Sequence, residues 1–286
     1  METVAIFGVG LIGGSFALAL RDAGFKGRIA GVSSPRTLAR AIELGVIDEP
    51  LSPGDAASTA DLILLAQPIR VIAETISAIA PHVRGDALVT DAGSTKSAIM
   101  QAADAMPRGV FLGGHPMAGK EVRGVEAASA DLFRGRVWVL TPAHPTELQR
   151  PQARAFIEWL EKIGAVPLVL DAATHDQTVA LTSHLPQLAS TALAAVLSEH
   201  LTHTPEVRGP GLEDMTRLAL SSFEIWQDIL ATNRENIAGA LAAYIAALEN
   251  IHDALRSSPN PDLHLLFQRA GTFARPLRDA ANRPQE

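Results

Sequence analysis

Thr3-Val4-Ala5-Ile6-Phe7-Gly8-Val9-Gly10-Leu11-Ile12-Gly13-Gly14-Ser15 is the stretch that decides the fold. Its short apolar start, with β-branched residues, predicts a strand buried on both faces, and Phe16-Ala17-Leu18-Ala19-Leu20 beyond it predicts a helix. The glycines between them have Gly-x-Gly-x-x-Gly spacing in the strand-to-helix context the motif requires. Gly8 permits the tight turn, Gly10 lets the backbone approach a pyrophosphate, and Gly13 lets the helix pack on the strand. The free amides of the helix N-terminus then face the anion. Gly8, Gly10, Leu11, Ile12 and Gly13 are therefore the first expected cofactor contacts.

A second strand, Arg28 to Val32, should end where a site selective for NAD places an acid for the ribose 2′-hydroxyl. Ser33, Ser34 and Arg36 stand there instead. Hydroxyls and a guanidinium hold a 2′-phosphate that a carboxylate would repel, so the reading favours NADP over NAD. Ser34 could equally cap the helix opening at Pro35, with Arg36 solvated. Asp61 to Ala66 reads as the next core strand and delivers Gln67 and Pro68 to the same edge. Ala87 to Thr90 is another, running into Asp91-Ala92-Gly93-Ser94-Thr95-Lys96, and Val110 to Leu112 leads to Gly113-Gly114-His115-Pro116-Met117-Ala118-Gly119-Lys120-Glu121. Ligands bind beyond such strand ends in open parallel sheets. A strand from Arg136 to Pro142, an amphipathic helix from about Glu147 to Ile163 and a last strand from Val166 to Leu170 complete the alternation. Beyond Asp171 the pattern is helical, with alanine-rich stretches. The expectation is an α/β dinucleotide-binding domain of Rossmann type over residues 1–170 and an all-α domain over 171–286.

The chain has 286 residues, 47% of them hydrophobic, which is material for two cores. Its net charge of -7 and the lack of Lys or Arg runs argue against nucleic acid or an anionic membrane as partner. With no cysteine, thiolate nucleophiles, disulfides and thiolate zinc sites are excluded; no metal is expected, and redox chemistry would need a bound cofactor. The strand at residue 3 leaves no room for a signal segment and no apolar run reaches membrane-spanning length, so a cytoplasmic location is expected.

Four other features bear chemistry, each with a plainer reading beside it. His115 sits among three glycines and a proline, a setting expected to be a rigid turn that brings a substrate to the backbone, and an imidazole suits proton transfer near neutrality; a hydrogen-bonded structural histidine would look the same. Ser94 orients a catalytic group, or it or Thr95 caps the next helix. His184, in Thr182-Ser183-His184-Leu185-Pro186-Gln187, is a substrate contact or a satisfied core histidine. Arg217, after Gly209-Pro210-Gly211, is a carboxylate clamp or a solvated cation.

Taken together and in this order, GVGLIGGS, DAGSTK, GGHPMAGKE, TSHLP and DMTR resemble the prephenate/arogenate (cyclohexadienyl) dehydrogenase family of tyrosine biosynthesis, over residues 4 to about 230. The resemblance implies an enzyme that oxidatively decarboxylates a cyclohexadienol. Hydride leaves the ring carbon bearing the hydroxyl for the nicotinamide, the ring carboxylate departs as carbon dioxide, and the ring becomes aromatic. It further implies that His115 accepts the ring hydroxyl proton, that Ser94 hydrogen-bonds His115 and that hydroxyl, and that Arg217 grips a substrate carboxylate. Ser183, His184 and Gln187 would face the substrate, Glu121 would stand at the pocket mouth, and the helical domain would form a homodimer. This chain departs from the family where many relatives carry a second histidine, here Gln187, and where they carry Phe-Arg, here Leu212-Glu213. Those residues therefore leave prephenate and arogenate both open. Two other classes compete. A β-hydroxyacid dehydrogenase would use a lysine on its helical domain, but no lysine follows Lys162. A dinucleotide sensor without catalysis would need a broken His115, Ser94 or Arg217.

Overall fold

The computed structural model describes residues 1–107, 110–120, 122–201, 207–256 and 261–281. It separates into two compact units, Met1–Arg234 and Glu235–Glu286. The first begins β1 (Thr3–Phe7), α1 (Leu11–Asp22), β2 (Arg28–Val32), α2 (Pro35–Glu43), β3 (Glu49–Pro50), α3 (Pro53–Thr59), β4 (Leu62–Leu65), α4 (Ile69–Ile79) and β5 (Leu88–Asp91). It continues through α5 (Ser97–Ala102), β6 (Phe111–Pro116), β7 (Val137–Thr141), α6 (Pro151–Lys162) and β8 (Val166–Val169) to the helices α7 (Ala172–Val179), α8 (Leu185–His200), α9 (Pro210–Thr216) and α10 (Phe223–Thr232). The second unit holds most of α11 (Arg234–Leu255) and all of α12 (Pro261–Ala281). The expected boundary near residue 170 falls within the first unit, where strands give way to helices. Among the described residues no helix is long and apolar enough to cross a membrane.

The eight strands form one sheet in the order β3-β2-β1-β4-β5-β6-β7-β8, parallel throughout except for β6 against β7. The order reverses between β1 and β4, so the crevice beyond their carboxyl ends is the ligand position for this topology. Both faces are covered. Val4, Ile6, Leu62 and Leu64 from the strands join Phe16, Leu20, Trp138, Phe156 and Leu160 in the core. Trp138 sits with its ring centroid 5.1–6.0 Å from those of Phe133, Phe16 and Phe156, tilted or edge-on pairs each contributing roughly 0.5–1.5 kcal/mol beyond area burial.

Three local details differ from the sequence expectation. The helix placed from Glu147 begins instead at Pro151, because Arg150, preceding a proline, is held extended at ψ 142°; Pro145–Gln149 is a short 3-10 turn. Ala180–His184 makes a π-helical turn between α7 and α8, with Pro186 tolerated in the first turn of α8. His115 lies not in a turn but inside β6, opposite Val139 of β7. The neighbouring glycines serve close approach rather than turning: a Cβ on Gly114 would stand 2.4 Å from the Asp91 carbonyl oxygen.

Candidate active site

At the end of β1 the backbone of Gly8 has φ +90°, and a Cβ there would lie 2.4 Å from the Ala66 carbonyl oxygen, so only glycine fits. A Cβ on Gly13 would meet the Gly8 carbonyl oxygen at 2.3 Å, whereas nothing lies within 4 Å of the corresponding point at Gly10. That open space at the uncapped N-terminus of the 12-residue α1 is the cradle a pyrophosphate needs. A cavity of about 970 Å³ runs from it past Gly8, Gly10, Ser33, Ser34, Arg36, Gln67 and Pro68. A second, of about 540 Å³, shares Gly10, Gln67 and Pro68 and adds Leu11, Ile12, Gly93 and Ser94.

The plain reading of Ser34 is realised, since its hydroxyl accepts the Thr37 N–H and caps α2, yet Ser34 also lines the large cavity. Arg36 lines it as well, and no hydrogen bond or ion pair engages its guanidinium among the described residues. Arg40, one turn further on, is held by Glu43 and Glu126.

A buried polar network is assembled around β6. Asp91, the last residue of β5, accepts the Gly93 N–H at 2.8 Å and the Gly114 N–H at 2.9 Å, and pairs with the fully buried Lys96. Lys96 Nζ also donates to the Gly114 carbonyl at 2.7 Å. This buried clamp fixes the residue immediately before His115.

His115 is 8% exposed, and its Nδ1 lies 2.8 Å from His175 Nε2. His175 Nδ1 in turn lies 2.8 Å from Asp176 Oδ1. Asp176 accepts the backbone N–H groups of Lys96 at 2.7 Å and Ser97 at 2.8 Å, and so supplies the N-terminal cap of α5 from α7. The capping reading of Ser94 or Thr95 is thereby replaced; Thr95 instead shares a hydrogen bond with Thr232. Ser94 lines the smaller cavity, and no hydrogen bond joins it to His115.

The electrostatics suit a base. Burial, followed by the neighbouring His175, Lys96 and His184, all of which disfavour a second proton on the ring, pushes His115 well below the ordinary imidazole value of 6.5, with only Asp176 opposing. His115 is therefore neutral at neutral pH. Burial opposes ionisation of Asp176, but hydrogen bonds from His175, Ser97 and the Lys96 amide overcome it and hold the carboxylate at about 2. His184 falls to about 4, chiefly through burial, partly offset by Asp176.

His184 is buried at the end of the π-turn, edge-on to Trp226 and 3.3 Å from Asn233 Nδ2, which also donates to the Asp176 carbonyl. Ser183 is half-buried beside it. The Gln187 amide nitrogen is engaged by Thr191 and by the Leu218 carbonyl, tying α8 to the 3-10 turn Arg217–Leu220. Arg217 is exposed at the start of that turn. Glu121 lies outside the described residues. His175, Asp176 and Asn233 were not anticipated. The only sequence trace was an adjacent His-Asp pair nine residues ahead of His184, whose meaning depends on a contact spanning 60 positions. Among the described residues no group of three or more acidic, histidine or cysteine side chains could hold a metal ion.

A dinucleotide cradle and a buried neutral imidazole lie at the carboxyl edge of one sheet, the arrangement of a nicotinamide-dependent dehydrogenase. The family models for the prephenate dehydrogenase nucleotide-binding domain and dimerization domain match residues 16–169 and 171–269. The chain belongs to the prephenate dehydrogenase family. It is 35% identical to the cyclohexadienyl dehydrogenase of Zymomonas mobilis over 89% of this chain and 88% of that protein. The crystal structure of the Aquifex aeolicus prephenate dehydrogenase with hydroxyphenyl propionate and NAD+ superposes with a TM-score of 0.87 at 31% identity, over 97% of this chain and 98% of that one. The Synechocystis arogenate dehydrogenase gives a TM-score of 0.83 at 30% identity, over 96% of this chain and 99% of that one.

Proposed function

We propose that this chain catalyses the nicotinamide-dinucleotide-dependent oxidative decarboxylation of prephenate or arogenate, a step of tyrosine biosynthesis. The observation that carries the reading is His115: buried, neutral, anchored through Nδ1 and placed next to the last residue of β6, at the sheet edge that holds the glycine cradle. When bound, the nicotinamide takes up the hydride released from the ring carbon. His115 Nε2 accepts the ring hydroxyl proton as the C–O bond gains double-bond character, so positive charge does not build on the oxygen. The Asp91–Lys96 clamp holds the Gly114 peptide, and with it the imidazole, in place. The ring carboxylate leaves as carbon dioxide and its bonding electrons complete the aromatic ring.

Ser94 contributes its hydroxyl from the smaller cavity to position the substrate oxygen. Ser183, His184 and Gln187 form the substrate-side face, and Glu121 stands at the pocket mouth. Residues 1–170 serve the cofactor and residues 171–286 the substrate and a homodimer. Exposed Leu181, Val196, Met215, Leu220 and Phe223 on the helical segments of the first unit supply apolar surface for such an association.

Arg217 grips a substrate carboxylate. Because the residue is exposed, Arg217→Ala is expected to raise KM only by about five-fold, near the ~1 kcal/mol upper end for solvent-screened charge pairs, with kcat little changed. An unchanged KM in steady-state assays would place Arg217 outside the site.

NADP is the favoured cofactor, because Ser33, Ser34 and the uncommitted Arg36 line the cavity, and its two carboxylates, Glu43 and Glu126, are both engaged by Arg40. Initial rates with prephenate or arogenate and with NAD or NADP, followed by absorbance of the reduced nicotinamide, test substrate and cofactor together. Faster turnover with NADP is expected. A tenfold preference for NAD would refute the role given to Ser33, Ser34 and Arg36, and no turnover with either substrate would refute the reaction.

A further inference from the structure

We propose that Asp176 and His175 act as a two-step positioning relay that fixes His115 in its Nδ1–H tautomer, so that Nε2 is the nitrogen left free to take the proton. The inference rests on the reading of His115 as the base and goes beyond it, because it assigns a task to two residues that no substrate need touch.

The logic follows from donor and acceptor roles. Asp176 faces three N–H donors: the amides of Lys96 and Ser97 and the ring of His175. A carboxylate accepts and does not donate, so the proton between His175 and Asp176 belongs to His175 Nδ1. Were Nε2 of His175 protonated as well, it would donate to His115 Nδ1 and leave the hydrogen of a neutral His115 on Nε2, so a base at His115 requires a bare His175 Nε2, which can only accept. The proton in the 2.8 Å contact between the two histidines therefore belongs to His115 Nδ1, and His115 Nε2 carries a lone pair. Had the order been reversed, Nε2 of His115 would carry hydrogen and could not act as a base.

Burial makes the relay a closed arrangement. His175 is 0% exposed and Asp176 1%, so water does not compete for these contacts. Asp176 is itself immobilised by the start of α5 on one side and, through its carbonyl, by Asn233 on the other. The other titratable groups facing His115 are Lys96, paired with Asp91, and His184. Neither is hydrogen-bonded to the His115 ring, so neither can select its tautomer. The T-shaped contact of the two imidazoles, with centroids 5.1 Å apart, is what a ring-edge hydrogen bond rather than stacking produces.

The test is an imidazole 15N–1H correlation experiment on the full chain, combined with kinetics. In the unaltered protein His115 and His175 should both show the Nδ1–H pattern; an Nε2–H pattern at His115 would overturn the proposal without reference to any substrate. Asp176→Leu is the informative change, because an asparagine would keep its amide oxygen at the Oδ1 position shared by the Lys96 N–H and His175 Nδ1–H, whereas leucine removes that acceptor and frees the tautomer of His175 and hence of His115. The expected result is loss of the single Nδ1–H pattern at His115 and a kcat lowered by at least about tenfold with KM within a few-fold, a milder form of the tautomer loss known in serine proteases.

His175→Leu should lower kcat roughly 100-fold and shift the acidic limb of the pH profile, whereas His175→Gln, whose side-chain oxygen can take the place of Nε2 as acceptor, should recover activity to within about tenfold of the starting protein. Loss of activity in Asp176→Leu with the His115 tautomer unchanged would overturn the relay, as would equal damage from His175→Leu and His175→Gln. Should Asp176→Leu fail to fold, the spectrum of the unaltered protein and the two His175 variants still decide. A correct tautomer without turnover of prephenate or arogenate would instead count against the reaction proposed above.

Discussion

Replacing His115 with asparagine is expected to lower kcat by ~10²–10⁴-fold, the range for loss of a positioned general base, which corresponds to roughly 3–5.5 kcal/mol of barrier. Asparagine is the informative substitution because its amide NH2 occupies nearly the position of Nδ1 and can donate to His175 Nε2, as the histidine does across 2.8 Å. The buried network then keeps its partners while the basic nitrogen is removed. Dinucleotide binding, followed by fluorescence titration, should stay within a few-fold, because the glycine cradle lies on β1 and α1 rather than on β6. In the unaltered enzyme the acidic limb of kcat/KM should lie below pH 6.5, since burial holds the imidazole neutral to lower pH than a free histidine. That limb should vanish in His115→Asn. Comparable turnover by the variant would remove His115 from the mechanism.

The second large effect is expected at Lys96, where the readout is stability. Its ammonium is completely buried against Asp91 and the Gly114 carbonyl. Burial, the largest influence on it, lowers its pKa, while Asp91 and then Asp176 act to raise it. Lys96→Met keeps much of the side-chain volume but strands the Asp91 carboxylate with only the amides of Gly93 and Gly114. Breaking one side of a buried pair in this way costs about 3–5 kcal/mol. For a cooperative unit of this size the melting temperature, followed by circular dichroism, should fall by about 6–20 °C. Adding Asp91→Asn should return part of the loss, because the buried charge is then gone from both partners. A single variant that melts within 1–2 °C of the parent would mean that the pair contributes little (about 0.5 kcal/mol or less). Where Lys96→Met is folded enough to assay, the acidic limb should move upward, since Lys96 is one of the charges that depress His115.

Much of the architecture was legible because its signals are local. Val4 to Phe7, the three spaced glycines and the helix from Leu11 specify a strand-turn-helix unit through steric needs confined to about 20 residues, and Gly8 and Gly13 occupy positions where any Cβ would collide. Repetition of such units predicts a parallel sheet, and the loss of strand pattern after Leu170 predicts the helices that follow. The family resemblance came from short motifs of the same local kind. His115 was found that way, although it was placed in a turn. Gly113 and Gly114 looked like turn residues because sequence cannot distinguish a glycine needed for positive φ from one needed for close packing against Asp91.

What the chain determined by itself, then, was the dinucleotide fold, the family and the candidate for the base. The tertiary structure alone decided what surrounds that candidate. His175 and Asp176 stand 60 residues from His115, and Asp176 caps a helix 80 residues away that Ser94 or Thr95 was expected to cap. Hydrogen-bond roles, burial and the resulting tautomer depend on which groups meet across the interior. No periodicity or spacing records that, because the contacts join different elements and exist only once the chain has folded.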